Sequence, residues 1–227
     1  PSQLDFDGLG MSRGVFAPAI EFHDGTFYVA NTAVDSGGNF IATAKNPAGP
    51  WSDPIWLPTI GGIDPSLFFD EDGRVYLLNN DAPVGTPRYD GHRAIWMQEL
   101  DLATMKPVGR REVLIDGGVD PSKNPIWIEG PHIYKREGWY YLNSAEGGTG
   151  PQHSQVILRS RNVWGPYQPY DHNPILTQHG LPDDRPDPNR ARPARLAPGP
   201  APRPGRHRRP RPRHPDLRGL GGPGRPG

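Results

Sequence analysis

Two carboxylic acids, Asp64 and Glu129, occupy matching places in two similar stretches of the chain. Asp64 stands directly before Pro65, and Glu129 stands directly before Gly130-Pro131. Breaking a glycosidic bond requires one carboxylic acid that protonates the leaving oxygen and a second carboxylate that activates water or attacks. Acids at equivalent points of two structural repeats would converge on one site, so this pair is a candidate for acid and base chemistry.

The residues that precede Glu129 favour a protonated side chain. They are Pro125-Ile126-Trp127-Ile128, and apolar residues packed around a carboxyl group raise its pKa because they disfavour the ionised form. Both acids also have simpler interpretations. Asp64 is consistent with a turn or strand-start aspartate that stabilises the local backbone, and Glu129 with an ordinary solvated glutamate.

The elements that would position these acids form a repeat. Three stretches (17–28, 64–76 and 130–141) share Pro, a short apolar strand, a charged turn that ends in Gly, and a second strand. In each stretch a Tyr follows the turn Gly by three positions; these residues are Tyr28, Tyr76 and Tyr141. The turn Gly suits a tight hairpin, and the aromatic and β-branched flanks favour strands.

Each hairpin is followed by a second pair of candidate strands, so one unit has four strands and recurs after some 50–65 residues. Four strands per unit are typical of a β-propeller blade. The chain shows no convincing apolar periodicity of 3.6 residues, which predicts little helix. The sequence therefore predicts an all-β propeller of which about three blades are present, whereas complete propellers typically have 4–8 blades.

The C-terminal segment differs sharply in composition. Arg, Pro, Gly and Ala make up 35 of the 43 residues from 185 to 227, a stretch without Val, Ile or aromatic residues. Such a sequence cannot bury enough apolar surface to offset the entropy lost on folding, which predicts a disordered Arg/Pro-rich tail over 188–227. The partial propeller domain is therefore predicted to occupy residues 1–187. One interpretation of the tail is a basic arm that binds nucleic acid. No aromatic residue is interleaved for stacking, so we expect no nucleic-acid partner. We favour a frameshifted translation, because Arg, Pro, Gly and Ala are the residues that GC-rich codons encode when they are read out of frame.

Composition also excludes several classes of site. The chain has no Cys, which excludes disulfides and Cys-based metal sites. No apolar run approaches the roughly 20 residues of a membrane span, so no membrane association is expected. The compartment stays unknown from composition, since a lack of Cys suits either side of a membrane, with a cytoplasmic location slightly favoured.

The motifs around the two acids extend along most of the chain. They are Gly14-Val15-Phe16-Ala17-Pro18, Gly62-Ile63-Asp64-Pro65-Ser66-Leu67-Phe68, Glu129-Gly130-Pro131-His132-Ile133-Tyr134, Ala145-Glu146-Gly147-Gly148-Thr149-Gly150, Gly165-Pro166-Tyr167 and Asn173-Pro174-Ile175-Leu176. In this order and spacing they resemble glycoside hydrolase family 43, and within it the β-xylosidase and α-L-arabinofuranosidase branch. The resemblance covers about residues 1–187.

The resemblance implies a five-bladed β-propeller that cleaves xylo- or arabino-oligosaccharides with inversion of configuration. In that family one Asp is the base, a second Asp tunes and orients the acid, and a Glu is the general acid. By resemblance Asp64 is the tuning residue and Glu129 is the acid. Phe16 would form an apolar wall of the sugar subsite, and Glu146 and His153 would border the pocket and bind substrate. The alternative for His153 is a hydrogen-bonded loop histidine.

The chain departs from the family pattern at both ends. The family's base precedes the Phe16 region by several tens of residues, whereas the acids upstream of Phe16 in this chain, Asp5 and Asp7, match a connecting stretch. We interpret them as surface or turn acids, and we expect the chain as written to be an inactive fragment. The alternative is a non-catalytic carbohydrate-binding propeller. The resemblance implies no cofactor and no metal ligand in this chain, apart from a structural ion in the central channel of the family's intact fold.

Overall fold

A computed structural model describes residue 4, residues 7–10 and residues 13–177. Within these residues the chain forms β-strands and one short 3-10 helix, and no α-helix. The predicted tail over 188–227, the predicted boundary at residue 187 and Asp5 lie outside the described residues. The all-β class predicted from the strand patterns is confirmed.

The strands form three antiparallel sheets, each built from consecutive strands of the chain. Sheet 1 contains β1 (Ala19–His23), β2 (Thr26–Ala33), β3 (Gly38–Ala44) and β4 (Ile55–Trp56). Sheet 2 contains β5 (Ile63–Phe69), β6 (Val75–Asp81), β7 (Ala94–Asp101) and β8 (Lys106–Asp116). Sheet 3 contains β9 (Glu129–Arg136), β10 (Trp139–Glu146), β11 (Ser154–Ser160) and β12 (Gln168–Pro169), with β13 (Leu176–Thr177) also paired to β11. The 3-10 helix, Pro121–Lys123, lies between sheets 2 and 3.

The repeated four-strand unit predicted from the three hairpins is thus present in all three sheets. The tyrosines that mark the repeat lie near the start of the second strand of each sheet. Each side chain lies on the face of its sheet that is directed toward the next sheet in the chain or, for sheet 3, away from sheet 2. Tyr28 packs on Phe69 of sheet 2, with ring centroids 5.1 Å apart. Tyr76 packs on Trp164 next to sheet 3, at 5.5 Å. Tyr141 lines a depression of about 450 Å³ on the far face of sheet 3. The five blades implied by the resemblance stay a prediction.

Sheet 2 is buried on both faces, because alternate residues of a strand point to opposite sides. Leu67, Val75 and Leu77 face sheet 1, in a core that also contains Tyr28 and Ile41. The intervening residues face sheet 3, in a second core of which the largest members are Phe68, Tyr76, Leu78, Ile95, Met97, Ile128, Ile133, Leu142 and Leu158. Face-to-face packing of successive sheets is the arrangement expected of propeller blades.

A buried polar cluster joins the hairpin turn of sheet 2 to the first two strands of sheet 3. The Asp70 side chain is 2% exposed and its Oδ1 lies 2.7 Å from Lys135 Nζ. Its Oδ2 accepts a hydrogen bond from the Tyr140 hydroxyl at 2.7 Å, and Oδ1 also accepts one from Glu71 N at 2.7 Å. Burial alone would raise the pKa of Asp70, but the bonds from Lys135, Tyr140 and Glu71 N outweigh it and hold the pKa below its ordinary value.

We expect Asp70→Ala to lower the free energy of unfolding by about 3 kcal/mol, because it removes the buried partner of the Lys135 ammonium and leaves the Tyr140 hydroxyl without its acceptor. The contribution of Asp70 is present above its ordinary pKa and is lost as the pH falls through the lowered pKa of the folded state. Equilibrium unfolding in urea at a series of pH values measures both effects.

The matched control is Glu71→Ala. Glu71 pairs with the same Lys135 Nζ at 3.0 Å, but its side chain is 82% exposed. An exposed ion pair contributes about 1 kcal/mol or less, so this variant should be nearly as stable as the unsubstituted protein. Equal losses in the two variants would contradict a stabilising role specific to the buried carboxylate.

Candidate active site

The first strands of the three sheets lie side by side, with β5 in contact with both β1 and β9. Asp64 is the second residue of β5, and Glu129 is the first residue of β9. Two contacts join these strands: Asp64 Oδ2 accepts a hydrogen bond from Gly130 N at 3.1 Å, and Ser66 Oγ donates to Pro131 O. The structure therefore brings the two predicted acids together at the same end of neighbouring strands.

An irregularity in strand pairing accompanies each acid. The register of β5 with β6 shifts between Ile63 and Ser66, which removes Asp64 from the regular ladder, and Asp64 has φ +55°. The register of β9 with β10 shifts where Glu129 pairs with Ala145. A β-bulge redirects a side chain and is common next to active sites. Each acid thus lies at an irregularity in strand pairing, Asp64 within the shift and Glu129 at its edge.

The electrostatic environment of Glu129 favours its protonated form. Burial raises the pKa of Glu129, and the negative charge of Asp64 raises it further, whereas His153 and Arg93 lower it. Burial also raises the pKa of Asp64, against the opposing hydrogen bond from Gly130 N. A carboxyl group that stays protonated beside a second carboxylate is suited to donate a proton to a leaving group.

The two residues predicted to border the pocket lie at the loop that follows β10. Glu146 ends β10, and its Oε1 accepts a hydrogen bond from Val119 N at 2.7 Å. Burial raises the pKa of Glu146, and the bond from Val119 N opposes this effect. One carboxylate oxygen therefore holds the segment between sheets 2 and 3, which is a positioning contact; substrate binding by Glu146 stays a prediction.

His153 has the hydrogen bond expected of a loop histidine, and its predicted binding of substrate stays a prediction. Its Nδ1 lies 2.6 Å from Gly148 O, so the ring is hydrogen-bonded within its own loop. It is also close enough to Glu129 to lower the pKa of that residue. Because Nδ1 donates to a carbonyl, Nε2 is the nitrogen left to accept a hydrogen bond in the neutral ring.

Phe16 lies at the entry to sheet 1, next to the bridge between Val15 and Ala33. Its backbone N donates to Thr32 O at 3.0 Å, and its side chain is half-buried. None of the contacts described for Phe16 joins it to Asp64 or Glu129. The predicted role as a wall of the sugar subsite therefore stays a prediction.

Two residues of the site escaped sequence reasoning. Arg93 precedes β7, and only the fold shows that it influences the pKa of Glu129. Trp127 was considered only as one of four apolar residues that could pack around Glu129, whereas its side chain is 46% exposed. Both line a surface depression of about 520 Å³ formed with the loop over residues 87–93. The signal that could have found Trp127 is its position two residues before Glu129.

Two classes of feature are absent from the part of the chain that the structure covers. Residues 4, 7–10 and 13–177 contain no group of three or more His, Cys, Asp or Glu side chains that could hold a metal ion. The structural ion that the resemblance implies for the intact fold therefore has no set of such ligands within these ranges. In the same ranges, no helix has the length and apolar character needed to cross a membrane.

The fold and the site define a class: a β-propeller with paired acids at the ends of its first strands, as in glycosidases. The chain belongs to glycosyl hydrolases family 43, whose family model matches residues 1–193. The resemblance inferred from the sequence motifs is confirmed.

Curated relatives have high identity over most of this chain. A "Xylosidase/arabinosidase" from Butyrivibrio fibrisolvens is 47% identical over 187 residues, which cover 82% of this chain and 35% of the relative. A "Non-reducing end alpha-L-arabinofuranosidase" from Bacteroides ovatus is 42% identical over 173 residues, which cover 75% of this chain and 30% of the relative. The chain thus spans about a third of the length of these relatives.

Solved structures agree with this assignment. A family 43 subfamily 12 protein retrieved from a capybara gut metagenome has a TM-score of 0.72 at 48% identity, covering 75% of this chain and 33% of that one. A xylan β-1,4-xylosidase from Bacillus halodurans has a TM-score of 0.69 at 40% identity, covering 80% of this chain and 35% of that one. The propeller class predicted from the repeat is confirmed.

Proposed function

We propose that the protein hydrolyses glycosidic bonds in xylo- or arabino-oligosaccharides, with Glu129 as general acid. The observation that carries the proposal is the half-buried Glu129, whose pKa is raised by burial and by the adjacent Asp64. Glu129 would donate its proton to the glycosidic oxygen as the bond to the leaving sugar breaks. The names of the curated relatives, a xylosidase/arabinosidase and an arabinofuranosidase, support this substrate class.

Asp64 would act on the reaction through Glu129. Its charge adds to the effect of burial in raising the pKa of the acid, and its bond to Gly130 N fixes the backbone next to the acid. Hydrolysis with inversion also requires a base that activates water. We assign that role to neither Asp64 nor Glu146, because each already has a carboxylate oxygen bonded to a backbone N–H of this chain. A purely carbohydrate-binding propeller is not favoured, since the relatives named above are hydrolases.

The test is hydrolysis of nitrophenyl β-xyloside and nitrophenyl α-L-arabinofuranoside by the protein in its full natural length. We expect release of nitrophenol from at least one of the two, and proton NMR of the first-formed sugar should show the inverted anomer. No release from either substrate would overturn the proposed activity, and a retained anomer would overturn the stereochemical part.

A further inference from the structure

The backbone around Trp127 is held from both sides in an unusual conformation. Trp127 has φ +50°, a left-handed conformation that costs energy for a bulky side chain. Its N donates to Gly91 O at 2.8 Å, and the carbonyl of Ile126 accepts a hydrogen bond from Gly147 N at 2.9 Å. Loops from sheets 2 and 3 therefore clamp the single peptide group between Ile126 and Trp127 from its two edges.

The Trp127 indole rests on a glycine that leaves room for it. A Cβ atom placed at Gly148 would overlap the six-membered ring of Trp127, so the ring lies directly against the Gly148 backbone. The side chain is nevertheless 46% exposed and lines the depression bounded by residues 87–93. The protein thus fixes the orientation of an indole while leaving a large part of it open to solvent.

The loop that forms the other wall of this depression is rigid. His92 is buried, and its Nε2 lies 2.8 Å from Asp116 Oδ1. Its Nδ1 accepts a hydrogen bond from Arg88 N at 3.1 Å. The Tyr89 hydroxyl lies 2.9 Å from Gly117 O and 2.8 Å from Pro125 O. These contacts tie the loop to the segments that follow β8 and precede β9.

Core packing does not explain an exposed, strained and clamped tryptophan, whereas ligand binding does. Sugars present an apolar ring face and a rim of hydroxyl groups, which suits an open indole flanked by charged side chains. Asp90 and Arg93 are exposed in the same depression. Trp127 lies two residues before Glu129, the first residue of β9, and its ring rests on Gly148, whose carbonyl accepts a hydrogen bond from His153 Nδ1. The depression therefore lies beside the start of β9, and the effect of Arg93 on the pKa of Glu129 agrees with this placement.

We propose that Trp127 is the stacking platform for the leaving-group sugar of the scissile bond, with Asp90 and Arg93 as partners for its hydroxyl groups. The inference rests on the proposed function, since a general acid must face the sugar that departs. The ligand of this depression is therefore the pentose unit on the acceptor side of the bond. Glycosides without a second sugar ring do not use it.

The test compares a β-1,4-linked xylose disaccharide with methyl β-xyloside in the full-length protein and its Trp127→Ala variant. Both substrates need a proton on the leaving oxygen, but only the disaccharide has a second ring to stack. We expect kcat/KM for the disaccharide to fall by about 10- to 30-fold, and kcat/KM for the methyl glycoside to change by less than about threefold. Trp127→Phe should restore part of the loss, because it retains an aromatic face.

Trp56→Ala is the matched control. Trp56 also lies over a glycine, Gly37, and is 37% exposed, but it belongs to β4 at the outer edge of sheet 1. This variant should leave both substrates unaffected. If Trp127→Ala lowered kcat/KM equally on the two substrates, the inference would be overturned, and Trp127 would instead hold Glu129 in position. An unchanged kcat/KM on the disaccharide would overturn the inference as well. If the unsubstituted protein cleaves no xyloside or arabinofuranoside at all, the proposed function itself fails.

Discussion

Replacing Glu129 with Gln should lower kcat on disaccharides and alkyl glycosides by about 10²–10⁴-fold, the range contributed by a general acid. Gln has nearly the same shape but cannot protonate the leaving oxygen. An aryl glycoside with a good leaving group, such as dinitrophenolate, needs little protonation and should lose much less. Steady-state kinetics of the full-length protein on the two kinds of substrate measures the difference.

Glu21→Gln is a suitable control for this prediction. Glu21 lies on β1, and burial raises its pKa as well, so the substitution removes a comparable carboxyl group outside the proposed site. Its kinetics should match those of the unsubstituted protein on both kinds of substrate. If Glu129→Gln slowed activated and unactivated glycosides by the same factor, Glu129 would not be the proton donor.

Substitutions of Asp64 are expected to separate its charge from its hydrogen bond. Asp64→Ala removes both the acceptor of the Gly130 N–H and the charge next to Glu129. Since a displacement of about 1 Å at a catalytic group can cost roughly 10²-fold, we expect a loss of about that size in kcat/KM at neutral pH. Asp64→Asn keeps an acceptor for Gly130 N and removes only the charge, so its loss should be smaller.

The pH profile of Asp64→Asn follows from the sign of the charge effect. The charge of Asp64 raises the pKa of Glu129, so without that charge Glu129 loses its proton at lower pH. The alkaline limb of kcat/KM should therefore move to lower pH. Arg93 lowers the pKa of Glu129, so Arg93→Gln should move the same limb to higher pH. If the alkaline limb moved in the same direction in Asp64→Asn and in Arg93→Gln, the assignment of this limb to Glu129 would be contradicted.

The local sequence determined the repeating unit. Strand alternation, turn glycines and the tyrosines at 28, 76 and 141 are local signals, because each depends on a few neighbouring residues. Four such strands per unit were enough to predict an all-β propeller. The equivalence of Asp64 and Glu129 followed from the same repeat, since equivalent positions in successive sheets lie at the same end of neighbouring strands.

Only the tertiary structure decided how these acids interact. The bond from Gly130 N to Asp64 joins residues of different sheets, and no periodicity predicts a contact of that kind. The influence of Arg93 on Glu129 arises in the same way. The bond from Val119 N to Glu146 Oε1 likewise joins residues that are distant in sequence, and substrate binding by Glu146 stays a prediction.

Trp127 illustrates the same limit of local reasoning. In the sequence it lies among apolar residues, which predicts burial, but the fold leaves nearly half of its side chain exposed. The reason is that Gly91 and Gly147, from loops of two sheets, hydrogen-bond the two edges of the peptide group that precedes Trp127. Chemical type and repeat position are properties of the chain, whereas exposure and pKa depend on neighbours that are distant in sequence and brought close by folding.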